Sequence, residues 1–235
     1  LLKGPFPAAA ISFRYSRCLN LPQRSAAAMH PFKTRHPFIT DLLVFTAGAL
    51  LPLAFAPFGF WPLAILLPVV LIWSWDGAAP RRAAGRGGLF GLGAYGFGIY
   101  WIFISLHDYG HAPAPFAALA TFAVVLLMAL YLAALGGLVN RWGPPPGPTR
   151  WLLVIPALWT LLDWVRSWLF TGFPWLALGY SQTDTPLGQL APYAGVFGVG
   201  WAVVFSAGLL WTLLNSADWR ARLGWLGLLA ALWVG

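Results

Sequence analysis

The sequence predicts an all-α membrane protein, a polytopic bundle of about seven transmembrane helices. Three observations predict it: too little charge for a water-facing surface, apolar runs of membrane length, and connections that alternate in charge. The chain is 60% hydrophobic and 9% charged, whereas soluble domains carry about 25% charge to face water. A net charge of +8 would suggest nucleic acid in a soluble protein. Here the arginines fall in particular connections, so the charge reads as topological and no nucleic-acid partner is expected.

A bilayer core about 30 Å thick needs about 20 apolar residues of helix to cross it. Residues 42–75 carry no charge, but Pro57, Gly59 and Pro62 break them into two helices joined at APFGFWP. Residues 87–106 form a third run, where Gly87-x-x-x-Gly91 and Gly98 allow close packing on a neighbour. Residues 115–139 are the fourth run, 151–170 the fifth with Asp163 and Arg166 inside it, and 192–216 the sixth. Residues 223–235 open a seventh, and the chain stops within it. Trp61, Trp73, Trp75, Trp142 and Trp151 lie near run ends and read as interfacial anchors.

The connections alternate strictly. One set holds Lys33 and Arg35; Arg81, Arg82 and Arg86; Arg141 and Arg150; Arg220 and Arg222. The other set, APFGFWP, HDYGHAPAP and TGFPWLALGYSQTDTPLGQLAP, has no Lys or Arg. The positive-inside rule then predicts a cytoplasmic N-terminus, with the basic residues facing the lipid head-group layer. Residues 1–40 read as a basic cytoplasmic leader and 41–235 as the transmembrane domain. Two readings of residues 1–28 stay open: read-through upstream of a native start at Met29, and a transit peptide carrying Arg and Ser but no acid.

Little in the chain serves covalent chemistry. Cys18 is the single cysteine, which excludes an intrachain disulfide, and every acidic residue is Asp. His107-Asp-Tyr-Gly-His111 is followed by Pro113 and Pro115, so a solvated loop is the reading in place of a metal site. No metal, cofactor or catalytic residue is expected. The outlier is the fifth run, because ionisable residues in a span are costly and are usually paired or face a cavity. Asp163 and Arg166 share a helical face. They read as an internal salt bridge, as a cation offered to a lipid phosphate, or as both. Thr171-Gly-Phe-Pro-Trp175 then breaks the helix, and residues 176–190 read as an outer loop or a re-entrant segment lining a cavity.

Several of these motifs together resemble a known family. They are Ala54-Phe-Ala-Pro-Phe58 with Trp61-Pro62, Gly98-Ile-Tyr-Trp101 with Ser105, and Pro156-Ala-Leu-Trp159 with Asp163 and Arg166. Thr171-Gly-Phe-Pro-Trp175, Gly179-Tyr-Ser-Gln182, and Ala191-Pro192 with Gly195-Val-Phe-Gly-Val199 complete the series. In this order, over residues 40–235, they resemble bacterial apolipoprotein N-acyltransferases. The TGFPW…GYSQ block is the specific part, and Asp163 departs from the Glu expected there. The resemblance implies a bacterial inner-membrane, multi-pass protein whose bundle precedes a periplasmic nitrilase-like domain with a Glu-Lys-Cys triad, lying beyond residue 235. It also implies transfer of an acyl chain from a phospholipid donor to the N-terminal diacylglyceryl-cysteine of an apolipoprotein acceptor. This stretch alone would then be inactive. Trp101, Asp163, Arg166, Phe173, Trp175, Tyr180 and Gln182 are the candidate substrate- or lipid-binding residues. The rival readings are a small transporter, on the intramembrane pair and proline-broken spans, and a non-catalytic lipid-binding scaffold.

Overall fold

The computed structural model describes residues 36–234, and within them every regular element is a helix. The leader, with Cys18, Met29, Lys33 and Arg35, lies outside the described residues. Helix α1 (Pro37–Leu50) runs into a 3-10 turn at Leu51–Ala54, and α2 (Leu63–Trp75) follows the APFGFWP turn. Helix α3 (Pro80–Gly98) is followed by the short α4 (Trp101–Ile104), which continues as a π turn over Ser105–Tyr109. The long α5 (Ala114–Trp142) comes next. Helix α6 (Ile155–Arg166) extends from a π turn at Arg150–Val154. Two 3-10 turns, Leu178–Gln182 and Pro186–Leu190, lead to α7 (Ala191–Asn215), and α8 (Trp219–Val234) ends the described chain. Proline opens α1 and α3, where the missing N–H has no intrahelical partner to lose.

Among the described residues three helices are long and apolar enough to cross a membrane: Pro37–Ala54, Ala114–Trp142 and Pro186–Asn215. A fourth span arises if Pro80–Gly98 and Trp101–Tyr109 count together, although they bend by 46° at their junction. The single third run expected from hydropathy is therefore two helices. The break follows Gly96 and Gly98, whose type is the weakest helix former after proline. Helices α2, α6 and α8 are shorter than that length, so the structure shows three or four spans by helix length and does not confirm the expected seven.

Helix α3 is the packing centre, lying between α1 and α5. A Cβ at Gly87 would collide with the Leu132 backbone, and one at Gly91 would sit 2.6 Å from the Ala129 Cα. Gly136 of α5 leaves equally little room against Ala83. On α3's other side Gly93 meets the α1 backbone and Gly48 of α1 meets Phe90. Small residues let these backbones approach where lipid offers no hydrophobic drive to do so.

Among the described residues the basic connections gather at one end, and a buried polar cluster ties the helices there. Asp76, just past α2, accepts the Trp151 indole at 3.0 Å and the Trp211 indole at 2.7 Å. Trp75 donates to the Ala83 carbonyl, and Asn140 to the carbonyls of Trp75 and Ala78. Trp75 and Trp151 are therefore buried linchpins, not the interfacial anchors their positions suggested; Trp142 is exposed as an anchor should be. Two arginines also turn inward. Arg86 pairs with Asp41 at 3.0 Å and donates to the Ser74 carbonyl, and Arg150 donates to the Val139 carbonyl. Both are buried, so neither meets the head-group layer assigned to them.

Candidate functional site

The opposite, non-basic end carries the second buried polar centre. The last turn of α6 presents Asp163 and Arg166 on one face, as their spacing of three requires. Arg166 Nε donates to Asp163 Oδ1 at 2.8 Å. Its Nη1 donates to two further acceptors, the carbonyls of Phe173 at 2.9 Å and Trp175 at 2.8 Å. The guanidinium carbon lies 5.7 Å from the centre of the Tyr95 ring on α3, and Arg166 is only 2% exposed. A cavity of about 20 Å³, enough for one water, is lined by Tyr95, Tyr131, Trp159, Asp163 and Arg166 among others.

What Arg166 holds is a strained loop. Phe170, Thr171 and Leu176 have positive φ of 52°, 76° and 58°, a region costly for residues with a side chain. Gly172, at φ 84°, packs so closely on the Ser167 carbonyl that a Cβ has no space. Such a path persists where its surroundings over-determine it. Here the Arg166 side chain takes the loop's carbonyls, while the Phe173 amide returns a bond to the Arg166 carbonyl at 2.8 Å.

The loop in turn displays aromatic side chains. The Trp175 indole donates to the Gly98 carbonyl at 3.2 Å, an acceptor left without an intrahelical donor where α3 ends. Its ring lies 5.1 Å from that of Trp101 and stacks on Phe173 at 6.3 Å. Trp175 stays 47% exposed and Trp101 36%.

The structure thus brings together Trp101, Asp163, Arg166, Phe173 and Trp175. Tyr180 and Gln182 stand apart, in the 3-10 turn Leu178–Gln182 against α7. Tyr180 is exposed, whereas Gln182 is fully buried, donates to Ser181 Oγ and accepts from Thr185 Oγ1. The histidine segment is not all loop as expected: His107 and Asp108 lie in the Ser105–Tyr109 π turn, with His107 Nδ1 2.9 Å from the Ala112 carbonyl, and His111 follows at a positive φ of 52°. Sequence reasoning missed Tyr95 and Tyr131, whose only signal was a phenol inside an apolar run.

A bundle of apolar helices, with a caged ion pair in one end and an aromatic cluster displayed beside it, defines a helical membrane protein. The family model of the apolipoprotein N-acyltransferase N-terminal domain matches residues 47–209. The chain belongs to the apolipoprotein N-acyltransferase family. It is 48% identical over 186 residues to the apolipoprotein N-acyltransferase of Methylococcus capsulatus, and 44% identical over 202 residues to that of Azotobacter vinelandii. The one of Vibrio cholerae is 40% identical over 181 residues. These alignments cover 78%, 85% and 77% of this chain, but 37%, 39% and 36% of the relatives' own lengths.

Proposed function

We propose that this chain is the transmembrane part of an enzyme that moves an acyl chain from a phospholipid to the N-terminal diacylglyceryl-cysteine of apolipoproteins. On this reading the protein is a multi-pass one of the bacterial inner membrane, with seven crossings and a cytoplasmic N-terminus. Acyl transfer needs an activated thiol and a dry oxyanion site. Those belong to a periplasmic nitrilase-like domain following this bundle, for which the relatives' greater length leaves room.

The observation that carries the proposal is the Arg166 clamp within the family-matched region. Arg166 is a positioning residue: its bonds fix the loop that sets Phe173 and Trp175 beside Trp101. That aromatic cluster is where both lipid-bearing substrates meet the membrane domain. Beside it, an apolar groove of about 530 Å³ opens sideways between α1, α3 and α5, lined by Phe45, Leu92, Gly96, Tyr100 and Phe122 among others. It suits a donor acyl chain.

N-acylation of a diacylated lipopeptide by the full-length protein, with phospholipid as donor, tests this. Arg166→Lys keeps the charge but loses the planar fork that bonds one carboxylate and two carbonyls, so kcat/KM should fall at least ~10-fold, the result of losing about 1.4 kcal/mol. Unchanged kinetics in that variant would remove the clamp from the function. Absence of any acyl transfer by the wild-type protein would remove the function itself.

A further inference from the structure

A second apolar groove lies away from the Arg166 site, between α2, α7 and α8. It holds about 520 Å³ and is lined by Leu66, Val69, Leu210, Leu214, Leu226 and Arg222 among others. Leu66 precedes Trp75 by nine residues, ~14 Å of helical rise, while Leu210 and Leu214 sit in the last two turns of α7. The groove therefore runs lengthwise, from the middle of the bundle to its basic end.

Arg222 is the groove's one charged wall residue. Its Nε donates to the Ser216 carbonyl at 2.7 Å, which tethers the guanidinium where α7 passes into α8. Asp218, the nearest acid in sequence, accepts the Arg220 amide at 3.1 Å. Arg220 lies over the Trp219 ring and is not part of the groove.

Apolar walls along a helix's length with a tethered cation at one end complement an acyl chain ending in an anion. We propose that the groove holds one chain of an anionic phospholipid, with its phosphate on Arg222. The proposal needs the bundle to lie in a bilayer and is independent of acyl transfer.

The full-length protein is reconstituted in nanodiscs of equal phosphatidylglycerol and phosphatidylcholine, then released into detergent, and retained lipid is read by native mass spectrometry. The wild type should retain phosphatidylglycerol selectively. Arg222→Gln should cut that retention about five-fold, the equivalent of the ~1 kcal/mol that one arginine contributes near a lipid surface, and leave phosphatidylcholine unchanged. Arg220→Gln, an equal charge loss outside the groove, should behave as wild type. Leu214→Trp, at an exposed wall position, should reduce retention of both lipids, and Leu226→Trp repeats the test at a second such position. Equal losses in the two arginine variants would mean diffuse surface attraction and overturn the proposal. So would unchanged retention in Arg222→Gln and both tryptophan variants, the result if another part of the protein covers the groove. Acyl transfer is assayed separately, so its failure with lipid retention intact counts only against the enzymatic reading.

Discussion

Arg166 bonds one carboxylate and two loop carbonyls, so the two members of its ion pair are not equivalent. Asp163→Asn leaves a buried guanidinium without its counter-charge, which costs about 3–5 kcal/mol. Removing both charges with Asp163→Asn and Arg166→Gln relieves that cost but leaves the Phe173 and Trp175 carbonyls without their donor. The double variant should therefore melt higher than Asp163→Asn alone yet transfer acyl chains poorly. Recovery of full activity in the double variant would reduce the pair to charge neutralisation. Asp76 makes a second residue-scale test. Asp76→Ala strips the acceptor from two buried indoles, each orphaned donor costing about 1–3 kcal/mol. Asp76→Asn retains one acceptor oxygen and should lose roughly half as much thermal stability. Equal melting of both variants would show that the indoles do not depend on that carboxylate. The Asp163–Arg166 pairing was legible in the sequence because it is local, three residues on one helix. The Asp76 cluster was not, because its partners lie 75 and 135 residues away. A tryptophan at a helix end reads the same whether it faces lipid or a buried carboxylate.

Among the elements, α3 shows how one helix uses its glycines differently. Gly87, Gly91 and Gly93 face neighbouring backbones, whereas a Cβ at Gly96 meets nothing within 4 Å. Gly91→Leu should separate α3 from α5 and cost several kcal/mol, at or beyond the ~1–3 kcal/mol usual for overpacking. Gly96→Leu should fold as well as wild type, since leucine is the better helix former, but it occupies the lateral groove and should raise the KM for phospholipid. Fluorescence-detected size exclusion after heating separates the two, and equal melting would contradict the assignment of faces. The glycine pattern and the spans of α5 and α7 were readable because apolar runs and small-residue spacing are one-dimensional signals. The bend after Gly98 was not, since hydropathy continues through it, and the carbonyl of Gly98 finds its indole 77 residues later.

At the scale of the whole molecule, the bundle has two ends: a basic end tied by Asp76 and a non-basic end built around Arg166. The connections among the described residues sort to these ends in three dimensions as they sort by charge in the sequence, although several basic residues do internal work as well. The proposed acyl transfer to an apolipoprotein requires the Arg166 end to face away from the cytoplasm. Cysteines introduced one at a time at exposed positions, in a background where Cys18 and every cysteine of the following nitrilase-like domain are replaced by serine, read this directly with a membrane-impermeant maleimide on intact spheroplasts. Tyr109→Cys and Tyr193→Cys mark the non-basic end, and Trp142→Cys and Trp219→Cys the basic end. The first two should label on intact spheroplasts and the last two only after permeabilisation; labelling of Trp142→Cys without permeabilisation, with Tyr109→Cys protected, would contradict the account.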